Sequence, residues 1–302
     1  MTKGREKLEL VEVSPRDGLQ NEPEIVSTEN KLELIGRIIA AGFRRLEAGS
    51  FVNPKKVPQM ADGDEVFAGL PARDDVTFIA LALNPRGVER ALGAGAREIN
   101  YVFCASDGFS IRNNGATVEE TFRVWPEVAH KARAGGARLS ATISTAFGCP
   151  FDGEVSVERV VAVAEMCAQQ DIFELALADT IGVAAPSDVH ERFRAIKDIG
   201  SGVRLRAHFH NTRDTALANA VAAVEEGVRV LDGSLGGIGG CPFAPGAAGN
   251  VPTEDLLYMF TRMGFDTGVD LDAAIETARF IAGVLGRKTP GMVSRAPKWP
   301  HA

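Results

Sequence analysis

An alternation of eight short apolar runs with helical stretches predicts a closed (β/α)8 TIM barrel with a C-terminal helical appendage for this chain of 302 residues. Three observations carry that expectation. Runs of strand length recur between Leu8 and Asp232, each separated from the next by a segment long enough for a helix. Such alternation builds a parallel sheet with right-handed crossovers, and a count of eight favours closure over an open doubly wound sheet. No linker, charge run or low-complexity stretch divides the chain before Asp266. A single domain over residues 1–302 is expected, with the barrel at about 8–265 and the helical extension at about 266–302.

The first run, Leu8–Val13, stops at Ser14-Pro15. A helix follows from Thr28 to Ala41, with Leu32, Leu34, Ile35, Ile38 and Ile39 apolar and Gly42 as its stop. Phe43–Glu47 is the second strand, followed by a polar loop through Asn53–Pro58 and a weaker helix near Asp64–Gly69. Val76–Leu83 is the third strand, Arg86–Gly95 its helix and Glu98–Phe103 the fourth strand. A longer helix from Thr117 to Ala134 ends at Gly135-Gly136. Arg138–Ser144, Phe173–Ala178, Val203–His208 and Val228–Asp232 are the remaining strands, with helices Val157–Gln170, Pro186–Ile199 and Asp214–Glu226 between them. A Gly-rich loop, Gly233 to Gly249, leads into a helix from Thr253 to Met263, for which Thr253 is a natural N-cap. The tail reads as one helix, Leu271–Leu285, and a Pro-rich end.

Composition narrows the function. A hydrophobic content of 45% is enough for a sizeable core. A net charge of −7 argues against a general nucleic-acid surface, though not against a local basic patch for a small anion. No apolar run approaches the roughly 20 residues that span a bilayer. Met1 to Lys7 is charged and runs straight into a strand, so no signal peptide is expected. Cys104, Cys149, Cys167 and Cys241 lack zinc-type spacing and suggest no disulfide framework; reduced thiols in a cytoplasmic enzyme are expected.

The chemistry gathers where a barrel puts it, at the C-terminal ends of the strands. His208 and His210 close strand seven at a spacing of two, so their side chains share a face and form a ready pair of metal ligands. Arg16-Asp17-Gly18 follows strand one, Glu47 ends strand two, Asp179-Thr180 follows strand six, and Cys241 and Asn250 lie in the loop after strand eight. Each alone has a bland reading: Asp17 a turn former, Glu47 a solvated end, Asn250 a helix cap. Their joint placement at one rim is harder to dismiss. Asp17, His208, His210 and Asn250 offer O and N donors without a thiolate, which suits Mg²⁺ or Mn²⁺ with open positions for substrate.

Residues 11–22, Val-Glu-Val-Ser-Pro-Arg-Asp-Gly-Leu-Gln-Asn-Glu, resemble the opening signature of the 3-hydroxy-3-methylglutaryl-CoA lyase family. So do Gly240-Cys241-Pro242-Phe243-Ala244 with Gly249-Asn250 and Thr253-Glu254-Asp255. Residues 50–55, Ser-Phe-Val-Asn-Pro-Lys, and 179–183, Asp-Thr-Ile-Gly-Val, are similar to the intermediate motifs. The resemblance implies a barrel metallolyase that cleaves a carbon–carbon bond next to an acyl-CoA thioester. It implies that Asp17, His208, His210 and Asn250 hold the metal, and that Arg16 polarises the thioester carbonyl. Glu47 and Asp179 would orient the hydroxyl and the metal-bound groups. Cys241 would be the catalytic cysteine that protonates the enolate, and His208 and Asp179 are both candidates for the general base. Gln20, Thr180 and Arg213 join Arg16 as expected substrate contacts. A homodimer is also implied, with Leu271–Leu285 a contributor to its interface.

Family members active on the methylglutaryl thioester typically read His-x-His-Asp-Thr-Tyr-Gly at strand seven. This chain has Asn211 and Arg213 there, and Ser144-Thr145 in place of a Ser-Cys in strand five. The reaction class is untouched, since the metal ligands remain. The favoured substrate is 3-hydroxy-3-methylglutaryl-CoA, cleaved to acetyl-CoA and acetoacetate in leucine degradation. The alternative is a related 3-hydroxyacyl-CoA such as citramalyl-CoA, whose carboxylate an added Arg213 would suit. A condensing acyltransferase of the isopropylmalate synthase type would carry a long C-terminal regulatory region and is the weaker alternative. No CoA motif stands out; Asn84, Asn113 and Lys55 lie in loops able to reach it.

Overall fold

The computed structural model describes residues 5–240 and 249–299. Eight parallel strands close into one barrel in sequence order: β1 (Glu9–Glu12), β2 (Arg45–Ser50), β3 (Thr77–Ala82), β4 (Glu98–Cys104), β5 (Arg138–Ser144), β6 (Glu174–Asp179), β7 (Arg204–Phe209) and β8 (Val230–Gly233). Closure comes from β1 pairing with β8, Glu9 opposite Val230 through Glu12 opposite Gly233. The expected fold class is the one observed.

Around the barrel lie α1 (Thr28–Ala40), α2 (Gly63–Ala68), α3 (Pro85–Gly93), α4 (Asp107–Asn113), α5 (Val118–Arg123) and α6 (Trp125–Ala134). The circuit continues with α7 (Val157–Ala168), α8 (Pro186–Ile196), α9 (Ala216–Glu225), α10 (Thr253–Arg262) and α11 (Leu271–Val284). Helix α1 shows how the sequence sets an element. Ser27 caps its first turn by accepting from Asn30 N, Leu34, Ile35, Ile38 and Ile39 bury one stripe, and Gly42 turns the chain at φ +107°. Replacing such a cap with Ala typically costs about 1 kcal/mol. Helix α11 buries Ala274, Thr277, Ala278 and Ile281 and packs on α1 and α10. Among the described residues no helix is long and apolar enough to cross a membrane.

Four details differ from the sequence reading. The stretch 117–134 is two helices, because Pro126 cannot donate to the preceding turn and so restarts the helix after Val124. Helix α4, not anticipated, fills the connection after β4. Thr253 is the first helical residue and not the cap, which is Pro252; the Thr253 hydroxyl is turned to Glu12, donating to its Oε2 at 2.7 Å. Glu47 sits in mid-strand, where the register of β2 against β3 shifts between Glu47 and Gly49.

The main apolar core lies between strands and helices. A separate apolar cluster holds only Val11, Val13, Ile79 and Val230. The residues alternating with the apolar outer face are largely polar instead: Arg45 and Glu47, Glu98 and Asn100, Thr142, Glu174, Arg206 and His208, and Asp232, all buried. At the lower end Arg45 donates to Glu174 Oε2 at 2.8 Å and to Glu98 Oε2 at 3.1 Å. This charged lining leads upward into the site.

Candidate active site

Directly after β1 the chain makes a tight turn, Ser14–Gly18, with every residue buried. Glu12 Oε1 accepts from Ser14 N at 2.8 Å and ties the turn to the strand end. The turn thereby aims two adjacent charged side chains, Arg16 and Asp17, over the barrel mouth. Arg16 donates through Nε to Glu47 Oε2 at 2.7 Å and again through Nη2 to the same oxygen. Its Nη1 donates to Asp17 Oδ1 at 2.6 Å and to Gln20 Oε1 at 3.2 Å. Gln20 Nε2 also donates to Asp17 Oδ1, at 2.9 Å.

Across the mouth, His208 is in β7 and His210 just beyond it. Their Nε2 atoms lie 3.9 and 3.8 Å from Asp17 Oδ2. One ligand atom from each of the three residues falls within 4.8 Å of the other two. Asn250 pairs with His210 across a β-bridge, and its Nδ2 donates to Asp17 Oδ2 at 2.8 Å and to Ile238 O at 3.1 Å. It thus meets the cluster through its amino group; ligation through Oδ1 requires the amide turned over. Cys241 lies outside the described residues.

The electrostatics suit a cation. Burial opposes ionisation of Asp17, but Arg16, His208 and His210, with the Asn250 hydrogen bond, outweigh it and hold the carboxyl down at about 2. Burial, reinforced by the charge of His208, pushes His210 down to about 4, so near neutral pH it is an uncharged imidazole. Among the described residues its buried Nδ1 has no hydrogen-bond partner. His208 goes the other way: burial is outweighed by the hydrogen bond to Asp232 and the charges of Asp17 and Asp232, which raise it. Asp232 accepts from Nδ1 at 3.1 Å, leaving Nε2 facing Asp17. A carboxylate and two imidazoles, with no thiolate, fit a hard or borderline divalent ion.

These groups form one end of a cavity of about 530 Å³. Arg16, Asp17, Gln20, Glu47, Thr180, His208 and His210 all line it, so seven expected site residues are brought together. Asp179 is not part of the wall: its two oxygens accept from Val183 N at 2.9 Å and Ala184 N at 3.0 Å, shaping the turn that presents Thr180. Burial raises it above the usual carboxylate range. Arg213 is also outside the wall, donating to Gly182 O at 2.8 Å and Ile181 O at 3.3 Å. Asn211 serves its own loop, with Oδ1 accepting from Ala216 N at 3.2 Å at the start of α9. Both departures at strand seven are therefore satisfied locally.

Sequence reasoning missed other wall residues. Asn100 and Thr142 stand inward on β4 and β5, and Asp232 on β8. Strand alternation was the available signal, since each sits at even spacing within a run already read as a strand. Lys56, Arg112 and Asn113 line the outer part, the last two on α4. Of the three loop residues suggested for CoA, Asn113 reaches the cavity. Asn84 instead caps α3 by accepting from Gly87 N at 2.8 Å, and Lys55 is not in the wall.

Residues 7–281 match the family model HMGL-like. The chain is 44% identical to the (R)-citramalyl-CoA lyase of Chloroflexus aurantiacus, over 98% of this chain and 97% of that protein. It is 41% identical to the 3-hydroxy-3-isohexenylglutaryl-CoA/hydroxy-methylglutaryl-CoA lyase of Pseudomonas aeruginosa, over 96% and 97%. Among solved structures, an HMG-CoA lyase from Acinetobacter baumannii in complex with coenzyme A and 3-methylmalate superposes with a TM-score of 0.95 at 40% identity, covering 100% of this chain and 99% of that one.

Proposed function

The chain belongs to the HMGL-like family, and from that premise we propose that it cleaves 3-hydroxy-3-methylglutaryl-CoA to acetoacetate and acetyl-CoA. It is a carbon–carbon lyase. The observation that carries the reading is one contact: Arg16 Nη1 lies 2.6 Å from Asp17 Oδ1, which sets a fixed guanidinium beside the candidate metal cluster at one end of the cavity.

Breaking the C2–C3 bond moves the tertiary hydroxyl proton off, turns C3 into the ketone of acetoacetate and leaves the electron pair on the acetyl-CoA enolate. Asp17, His208 and His210, with Asn250 adjoining, would hold a divalent ion, Mg²⁺ or Mn²⁺, which when bound would supply the Lewis acidity that lowers the pKa of that hydroxyl. Arg16 faces the thioester oxygen and stabilises charge that develops only as the bond breaks. Glu47 holds the guanidinium in its plane by two bonds, so little reorganisation is left for the reaction itself. Asp232 occupies Nδ1 of His208, which leaves Nε2 as the single nitrogen able to bind a metal or take a proton. Asp179, the other candidate base, has both oxygens on backbone N–H groups. Gln20 and Thr180 contact substrate from the wall, and the Cys241 thiol gives its own proton to the enolate carbon. Arg213 acts on substrate only indirectly, through the Ile181–Gly182 carbonyls it holds. The proposal extends to one lyase domain over residues 1–302, working as a cytoplasmic homodimer, the last checked by light scattering.

A second reading rests on the 44% match to an (R)-citramalyl-CoA lyase: the same chemistry on citramalyl-CoA, releasing pyruvate. Both thioesters are to be incubated with enzyme and Mg²⁺ or Mn²⁺, with and without chelator. Metal-dependent acetoacetate from the first is expected. Pyruvate from citramalyl-CoA alone would move the substrate and keep the chemistry; no metal-dependent turnover of either would end both readings.

A further inference from the structure

Arg206 is 2% exposed, and no role in the lyase reaction assigned above uses it. It stands on β7 two residues before His208, on the same inward face, directly beneath the cavity floor. A buried guanidinium is costly to desolvate unless its fork is filled. Here each nitrogen meets a different element. Nη2 donates to Thr142 Oγ1 on β5 at 3.2 Å, Nη1 is ion-paired with Glu174 Oε1 on β6 at 3.3 Å, and Nε faces Asp232 Oδ1 on β8 at 3.5 Å as an ion pair without a hydrogen bond.

Two chains of contacts rise from that fork. One runs through Asp232, whose Oδ2 accepts from His208 Nδ1 at 3.1 Å. An ionised carboxylate only accepts, so this bond puts the proton on Nδ1 and turns Nε2 toward Asp17. The other runs from Thr142, which donates to Asn100 Oδ1 at 2.9 Å; Asn100 Nδ2 donates to Glu47 Oε1 at 3.2 Å, and Glu47 receives Arg16. Every hydroxyl and amide along the second path has its donor direction set by its neighbours. Thr142 Oγ1 accepts a hydrogen bond from Arg206 and donates its own hydroxyl hydrogen to Asn100 Oδ1, which leaves the Asn100 amino group to donate to Glu47.

We propose that Arg206 is a positioning residue for both halves of the reaction site, fixing Asp232 against His208 and, through Thr142 and Asn100, fixing Glu47 against Arg16. This rests on the lyase reading of the site, but its first arm is measurable without substrate. The fork suits arginine over lysine: three separate guanidinium nitrogens meet Asp232, Glu174 and Thr142, whereas an ammonium has a single nitrogen to place among them.

The test compares Arg206→Met, Arg206→Lys and Thr142→Val with wild type. Mn²⁺ affinity is measured by calorimetry without substrate, the His208 tautomer by ¹⁵N–¹H long-range correlation on histidine-labelled protein, and kcat and KM with the active thioester. Arg206→Met is expected to weaken Mn²⁺ binding about 10- to 100-fold and to lose the Nδ1–H signature of His208. Arg206→Lys, which keeps a charge beside Asp232, is expected to hold Mn²⁺ affinity within about threefold while kcat falls about tenfold. Thr142→Val cuts the second arm alone: kcat falls about tenfold, with KM and Mn²⁺ affinity unchanged. A purely structural arginine would lower thermal stability and move none of the other readouts. Folded Arg206→Met with wild-type Mn²⁺ affinity and an unchanged His208 signature overturns the first arm. Should that variant not fold, Arg206→Lys equal to wild type in kcat, or Thr142→Val with unaltered kcat, overturns the second. If no thioester is turned over while Mn²⁺ affinity and the tautomer respond as stated, the lyase reading fails and the His208 arm stands.

Discussion

Asp17 and His210 approach edge to edge, with Oδ2 of the carboxylate 3.8 Å from Nε2 of the imidazole. The carboxyl is held at about 2 and the imidazole at about 4, so both stand deprotonated near neutral pH. Neither has to release a proton before binding a cation. Asp17→Asn keeps the shape and removes the charge. It is expected to weaken Mn²⁺ binding by two orders of magnitude or more and to abolish turnover, as chelation does to the wild type. Calorimetric titration with Mn²⁺ checks it, and a variant binding within about threefold of wild type would remove Asp17 from the metal site.

Arg16 makes a different kind of prediction, because its guanidinium serves Glu47 and Asp17 at once. Arg16→Lys keeps the charge and loses the fork that those two carboxylates hold in plane. A donor aimed at a developing oxyanion is worth about 10²- to 10³-fold in kcat. The lysine variant is expected to lose that much while its substrate KM stays within a few-fold. A variant that retains more than about a tenth of wild-type kcat would show that Arg16 does not face the thioester oxygen.

The barrel was legible because strand runs and helix stops recur at regular intervals, and the inward pairing of His208 with His210 followed from strand alternation alone. The same alternation places Arg206 on their face, yet a strand arginine between apolar residues reads as an exposed edge until the barrel is closed around it. Asp232 ended a run without a visible partner, since the imidazole it holds is 24 positions away. Arg213 looked like a rim cation because sequence gives no hint that two carbonyls of another loop lie beneath it. Helix α4, which supplies Arg112 and Asn113 to the wall, is short and begins without a side-chain cap bond. Such a segment carries little periodic signal of its own.

Gly239 shows how closely the described start of the loop after β8, residues 234–240, is laid on the site. Its φ is +108°, and a Cβ there would come within 2.5 Å of Asn250 Nδ2 and 2.7 Å of the Asp17 carbonyl oxygen. Gly239→Ala must therefore move Asn250, the Asp17 turn, or both, besides taking up a strained backbone. Mn²⁺ affinity is expected to fall about tenfold or more, with the thermal midpoint down by several degrees. Unchanged Mn²⁺ affinity would mean that the loop and the ligand cluster are mechanically independent.

Glu12 supports the same region from behind and ties it to pH. Its carboxylate accepts from Ser14 N, Leu235 N and Thr253 Oγ1, so one side chain joins the Asp17 turn, the loop after β8 and helix α10. Burial raises its pKa from 4.5 to about 7, and the three hydrogen bonds only partly offset that. A raised folded pKa contributes stability fully below the unfolded value and loses it as pH climbs through the folded value. The window is thus pH 4.5 to about 7, and the loss approaches about 3 kcal/mol. Carboxylates held low, such as Asp17, Asp232 and Glu174, contribute with the opposite sign, so total stability is a poor readout. The difference between Glu12→Gln and wild type isolates the one group. Gln keeps an oxygen for Ser14 N and Leu235 N, and its amino group can donate to the Thr253 hydroxyl oxygen. Denaturant titrations at pH 5 and pH 8 should show the variant gaining on wild type by up to about 3 kcal/mol as pH rises. A difference that stays constant over that range would mean that Glu12 enters the fold ionised, and that a donor near the Asp17 turn compensates its burial.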